Sequence, residues 1–127
     1  MPDTAIISVI DDDESVRVAL DGLLRSHGYS VRTYANAQAF LASDPLDDTA
    51  CLISDIQMPG MTGIQMYDLL CAQGVLIPII FITGYQGPAP RVSTGSPAPV
   101  AFFPKPFHCG ELIACIESVL GSGLTGH

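Results

Sequence analysis

Short apolar segments recur along the chain, and turn residues or polar stretches separate them. Apolar runs of this length are typical of strands buried on both faces of a parallel sheet. The predicted strands are Ala5–Ile10, Ser30–Tyr34, Ala50–Ser54, Ile77–Thr83 and Val100–Phe103.

Longer segments with apolar residues at helical spacing lie between most of these strands. In the last of them, for example, Leu112 and Ile116 would face inward together. Asn36 is a good N-cap residue, and Gly28 and Gly74 each follow a helical segment as C-terminal stops. The predicted helices are Glu14–His27, Ala37–Ala42, Gly63–Gln73 and Glu111–Leu120.

Strands and helices in regular alternation predict a doubly wound α/β fold, with a five-stranded parallel sheet covered by helices on both faces. A chain of 127 residues has room for one such domain. We assign residues 1–121 to this domain and residues 122–127 to a tail or linker stub.

The segment between the fourth and fifth strands, Tyr85–Pro99, contains four prolines and no repeated apolar face. Proline inside a helix costs about 3 kcal/mol because it lacks a backbone donor and clashes with the preceding turn. We therefore predict that a helix expected at this place in the alternation is short or missing.

The composition excludes several classes of function. The formal net charge of −8 opposes direct binding of nucleic acid, which depends on neutralising phosphates. No apolar run reaches the roughly 18–20 residues of a membrane span, and no signal peptide is evident. Four cysteines without a CxxC pair fit a reducing compartment, so we expect a cytoplasmic protein.

Polar residues, most of them aspartates, lie at the carboxyl ends of three predicted strands. Asp11, Asp12 and Asp13 follow the first strand, Asp55 follows the third, and Thr83 ends the fourth. In open parallel sheets, ligands bind at the carboxyl ends of the strands. Converging carboxylates repel one another unless a cation such as Mg2+ neutralises them.

A carboxylate in such a site can act as a nucleophile and form an acyl phosphate. A nearby lysine such as Lys105 and a hydroxyl such as that of Thr83 would then stabilise the phosphoryl oxygens. Taken singly, these residues also fit turns, solvated charges or, for Asp13 and Glu14, the first turn of a helix. Their recurrence at successive strand ends favours a site.

The residues that carry this pattern resemble the signature of response-regulator receiver domains. The similarity covers about residues 5–120 and is strongest in the block from Ser54 to Gly63, SDIQMPGMTG. The similarity extends to the acidic pair Asp11 and Asp12 and to the KPF motif from Lys105 to Phe107. The sequence around Phe40 and the sequence around Thr83 resemble those of the FixJ-like subgroup.

The resemblance implies a flavodoxin-like strand order, 2-1-3-4-5, and a role for each site residue. Asp55 would be the phospho-acceptor, and Phe102 the switch aromatic residue. Thr83 and Lys105 would bind the phosphoryl group. The expected Mg2+ ligands are Asp11, Asp12, Asp55 and the backbone carbonyl oxygen of Gln57.

The implied function is a phosphorylation-dependent switch in a two-component system, without enzymatic turnover of its own. The donor would be a histidine kinase, because none of the three histidines has the context of a phosphodonor. A C-terminal DNA-binding effector domain outside this chain and a phosphorylation-dependent homodimer are further expectations. Two alternatives stay open: a degenerate receiver that only binds other proteins, and a phosphatase with an aspartate nucleophile.

Overall fold

The computed structural model describes residues 5–42, 49–58, 60–75, 77–83, 100–104 and 108–124. Its five strands are β1 (Ile6–Ile10), β2 (Ser30–Tyr34), β3 (Cys51–Asp55), β4 (Ile79–Thr83) and β5 (Val100–Pro104). The helices of the described residues are α1 (Glu14–Ser26), α2 (Ala37–Leu41), α3 (Gly63–Ala72) and α4 (Cys109–Leu124). The prediction for Tyr85–Pro99 lies outside the described residues.

All strand pairs are parallel, and the strand order is β2-β1-β3-β4-β5. The predicted doubly wound α/β fold is therefore confirmed. The element boundaries differ from the prediction by a few residues. In particular, β3 extends to Asp55, and α4 begins at Cys109 and continues beyond Leu120 to Leu124.

The core consists of two apolar layers, one on each face of the sheet. The alternation of side chains along a strand produces them, since successive residues point to opposite faces. In β3, Ile53 packs with residues of α1 and α4, whereas Leu52 packs with residues of α2 and α3. Both side chains are completely buried.

Local signals explain where the helices start and stop. The side chain of Asn36 accepts a hydrogen bond from the backbone N–H of Ala39 at 2.7 Å, as expected for an N-cap. Gly28 and Gly74 have φ angles of 91° and 79°. These left-handed conformations are costly for other residues, so both glycines stop their helices as predicted.

The cysteines of the described residues are free thiols in different surroundings. Cys51 is buried in β3, Cys71 and Cys115 are partly buried, and Cys109 is exposed. Burial, with a smaller contribution from Cys115, raises the pKa of Cys51 to about 12. A buried thiol with this pKa is a small apolar core group rather than a nucleophile.

Within the part of the chain that the structure describes, no helix combines the length and the apolar character needed to span a bilayer.

Candidate functional site

The register of the sheet brings the ends of β1 and β3 together. Ile10 pairs with Ser54, so the residues that follow, Asp11 and Asp55, leave neighbouring strands side by side. Adjacent strands are about 4.8 Å apart. Carboxylate oxygens of Asp11, Asp12 and Asp55 all lie within 4.8 Å of one another. The carboxylates that the sequence placed at separate strand ends thus form one cluster.

The three carboxylates differ in exposure. Asp11 is 2% exposed and Asp55 is 7% exposed, whereas Asp12 is exposed to solvent. The Oδ1 of Asp11 accepts a hydrogen bond from the backbone N–H of Asp13 at 2.9 Å. The Oδ1 of Asp55 accepts one from the backbone N–H of Gln57 at 3.3 Å. These bonds orient the two buried side chains.

Buried carboxylates close together are unfavourable unless positive charge compensates them. The only ligand atoms that the cluster offers to a metal ion are carboxylate oxygens, and one of the three residues, Asp12, is exposed to solvent. Hard divalent cations prefer oxygen ligands, and Mg2+ in particular keeps several waters. The donor set of Asp11, Asp12 and Asp55 therefore fits a hard divalent cation.

Asp13 stands apart from this cluster and serves the helix instead. It is the N-cap of α1, and its Oδ1 accepts hydrogen bonds from the backbone N–H and the hydroxyl of Ser15 at 2.9 and 2.7 Å. Glu14 follows in the first turn of the helix. The first turn of a helix was the alternative that the sequence offered for both residues, and their positions agree with it.

The backbone of Asp55 is held by contacts that the sequence did not reveal. The hydroxyl of Ser54 donates to the carbonyl oxygen of Asp55 at 2.9 Å, and the N–H of Gly63 donates to Ile56 O at 2.9 Å. The start of α3 lies so close that a side chain on Gly63 would collide with Asp55 O. The loop from β3 therefore returns tightly against the strand end.

The remaining predicted site residues lie on β4, on β5 and beside the acid cluster, or outside the described part of the chain. Thr83 is the last residue of β4, and Phe102 pairs with Phe81 in the β4–β5 register. The side chains of Thr83 and Phe102, and Lys105 as a whole, lie outside the described part of the chain. Gln57 is exposed beside the cluster. Their roles stay predictions.

Comparison with known proteins decides the family. The family model of the response regulator receiver domain matches residues 7–117. The chain belongs to this family. The match includes the strand ends that carry Asp11, Asp12 and Asp55 as well as Lys105.

Individual relatives agree with the family and with the subgroup. The transcriptional regulatory protein FixJ of Azorhizobium caulinodans is 34% identical over 121 residues, which are 95% of this chain and 57% of that protein. The response regulator protein TodT of Pseudomonas putida is 39% identical over 116 residues, 91% of this chain and 51% of that protein. This chain thus spans little more than half the length of these relatives.

Solved structures show the same fold. The response regulator StyR superposes with a TM-score of 0.85 at 38% identity, over 94% of this chain and 60% of that chain. The FixJ-N structure gives a TM-score of 0.78 at 33% identity, over 95% of this chain and 96% of that chain.

Proposed function

We propose that this receiver domain accepts a phosphoryl group on Asp55 from a histidine kinase and thereby switches the output of a transcriptional regulator. The observation that carries the proposal is the convergence of Asp55 with Asp11 and Asp12 within 4.8 Å at the carboxyl ends of β1 and β3. Membership in the receiver family supports the same reading.

Asp55 is suited to the role of nucleophile by its position. Its side chain is 7% exposed, and a hydrogen bond from Gln57 N–H holds Oδ1. An incoming phosphohistidine would be attacked by a carboxylate oxygen of Asp55. The bond between phosphorus and the imidazole nitrogen breaks as the bond to the aspartate oxygen forms, and the imidazole leaves with the bonding electrons. The product is an acyl phosphate.

We infer that Mg2+ is the cation of this site. Asp11, Asp12, Asp55 and the backbone carbonyl oxygen of Gln57 would hold it. When bound, the ion supplies positive charge for the phosphoryl oxygens, and in phosphoryl transfer such charge stabilisation and positioning provide most of the catalysis. Asp11 is held ready for this role by the hydrogen bond from Asp13 N–H.

The switch itself would use residues around β4 and β5. Thr83 would turn toward the phosphoryl oxygen, Lys105 would pair with it, and Phe102 would follow Thr83 inward. The surface formed by β5 and α4 would change as a result. Because the sequence predicts a short or missing helix over Tyr85–Pro99, a homodimer that depends on this segment would be weak.

The wider protein would provide the partners. The aligned region covers 57% of FixJ and 51% of TodT, so both relatives extend well beyond it, and FixJ is named as a transcriptional regulatory protein. We therefore propose that a separate effector domain, outside this chain, binds DNA. The net charge of −8 on this chain disfavours DNA binding by the receiver itself. A cytoplasmic location, a phosphorylation-dependent homodimer and the lack of independent enzymatic turnover complete the proposal.

Phosphorylation by a small donor tests the central claim. Acetyl phosphate with Mg2+ should add one phosphoryl group to the wild type and none to Asp55→Asn, as measured by intact mass. Asp21→Asn is a matched control, since it makes the same chemical change on α1 at a residue that pairs with Arg25. Equal labelling of wild type and Asp55→Asn would refute Asp55 as the acceptor.

A further inference from the structure

A side chain from α1 reaches back to the strand end that carries the acid cluster. Nη1 of Arg17 donates to the backbone carbonyl oxygen of Asp11 at 2.7 Å. The side chain is half-buried and links the first part of α1 to the first residue after β1. Arg17 thus contacts the backbone of one of the three clustered aspartates directly.

Other hydrogen bonds close the same turn around Asp11. Its N–H donates to Tyr34 O of β2 at 3.1 Å, and its Oδ1 accepts from the N–H of Asp13 at 2.9 Å. The N–H of Arg17 donates to the carbonyl oxygen of Asp13 at 3.1 Å. Arg17 therefore holds the turn at two points, with its backbone at Asp13 and with its side chain at Asp11.

The guanidinium of Arg17 has two effects on a cation bound to the cluster, and they have opposite signs. Its charge repels a divalent cation and by itself would weaken binding. Its hydrogen bond fixes the backbone from which Asp11 and Asp12 project, which strengthens binding because less order must be created when the cation arrives. The sign of the change on removing Arg17 shows which effect is larger.

We propose that Arg17 is a positioning residue that holds the turn between β1 and α1 so that Asp11 and Asp12 are in place before the cation binds. The proposal rests on the proposed function for its account of the cation. The charge-assisted bond to Asp11 O is short, and Asp11 is 2% exposed, so water competes poorly for this carbonyl region. We therefore expect the positioning effect of Arg17 to outweigh its repulsion of the cation.

Arg17→Met tests the proposal because it keeps much of the apolar stem and removes both the donor and the charge. Amide exchange measured by NMR on the metal-free protein should be at least about tenfold faster at Asp11 and Asp13. Mg2+ affinity, followed by amide shifts, should fall about tenfold, in the range seen when residues that orient metal ligands are removed. Arg17→Lys keeps a donor and the charge, so its exchange rates should lie between those of wild type and Arg17→Met.

Arg25→Met is the matched control on the same helix. Arg25 also donates to a backbone carbonyl of a strand, Val31 O at 3.1 Å, and pairs with Asp21, but it lies at the other end of α1. This variant loses the same charge and should leave exchange at Asp13 and Mg2+ affinity as in the wild type.

The outcomes separate this proposal from the proposed function. Unchanged amide exchange at Asp11 and Asp13 in Arg17→Met, or tighter Mg2+ binding by this variant, would overturn the positioning role of Arg17. The proposed function would still stand if the wild type binds Mg2+. A wild type that binds no Mg2+ would overturn the proposed function and the cation half of this proposal together. In that case the exchange rates of the metal-free protein still decide whether Arg17 holds the turn.

Discussion

Gly63, the first residue of α3, packs directly on the backbone carbonyl oxygen of Asp55. A Cβ atom at Gly63 would collide with this oxygen and would lie 3.0 Å from Ser54 Oγ. The opposing atoms are backbone and a fully buried hydroxyl, so neither can move away without shifting β3. The close approach of α3 to Asp55 thus depends on the absence of a side chain at one position.

Gly63→Ala should therefore destabilise the protein and also displace Asp55. We expect a loss of about 1–3 kcal/mol in the free energy of unfolding, as for overpacking of a core, measured by urea denaturation. Phosphorylation by acetyl phosphate should slow as well, because Asp55 would shift with its carbonyl. Gly22→Ala is the control, since it lies in the interior of α1 and a Cβ there would have no atom within 4 Å other than those of its chain neighbours and its own helix backbone.

The control should change stability in the opposite direction. Alanine in place of a helix-interior glycine stabilises by roughly 0.5–1 kcal/mol. If Gly63→Ala and Gly22→Ala gave the same change in unfolding free energy, the tight contact between α3 and Asp55 would be wrong.

The exposed member of the acid cluster should limit the stability of the metal-free protein. Asp12→Asn removes one of three mutually repelling carboxylates and leaves the hydrogen bonds of Asp11 and Asp55 in place. In the presence of a chelator, we expect a Tm a few degrees higher than that of the wild type. We also expect Mg2+ to stabilise the wild type through mass action and not to stabilise Asp12→Asn.

Glu14→Gln provides the comparison, because it removes the same charge two residues further on. Glu14 lies in the first turn of α1, where a negative charge is favourable by about 0.3–1 kcal/mol. Its variant should melt at the same or a lower temperature and keep the response to Mg2+. A rise in Tm for Glu14→Gln equal to that for Asp12→Asn would mean that net charge alone, and not the cluster, sets the stability.

The buried thiol of Cys51 predicts a loss of stability at alkaline pH. Burial raises its pKa from 9.0 to about 12 in the folded protein. Stability is therefore unaffected by this group below about pH 9, where both states are protonated. Above that pH the unfolded state releases the proton first, and the free energy of unfolding falls by about 1.4 kcal/mol per pH unit until the folded thiol ionises.

Urea unfolding at about pH 8 and about pH 10.5 measures this effect. Between these conditions, the wild type should lose about 2 kcal/mol more than Cys51→Ala, which lacks the thiol. Cys109→Ala, at an exposed position, should behave as the wild type does. The same pH dependence in wild type and Cys51→Ala would contradict the pKa of Cys51.

The sequence by itself determined the elements and the fold class, because their signals are local. Short apolar runs predict buried strands, helical spacing predicts α1, and residues such as Asn36 and Gly28 mark helix ends through bonds to near neighbours. The block around Asp55 and the acids after β1 also carried the family resemblance, since these residues are read directly from the chain.

The sequence led us to expect a site at the strand ends, but its geometry was decided by the tertiary structure. The register in which Ile10 pairs with Ser54 determines that Asp11 and Asp12 join Asp55. Asp13, their neighbour in sequence, instead caps α1. Strand register is set by the apolar patterns of the paired strands and by the geometry of their connections, so the residues around Ile10 do not by themselves show which residue of β3 lies opposite.

Two further contacts could also be identified only from the tertiary structure. The packing of Gly63 against Asp55 O and the bond from Arg17 to Asp11 O both join a helix to a strand end. In sequence, Gly63 is the last residue of the family block and a helix start, and Arg17 is a charged helical residue. Their roles arise because α1 and α3 fold back over the strands that precede them, and the distances that result exist only in the folded chain.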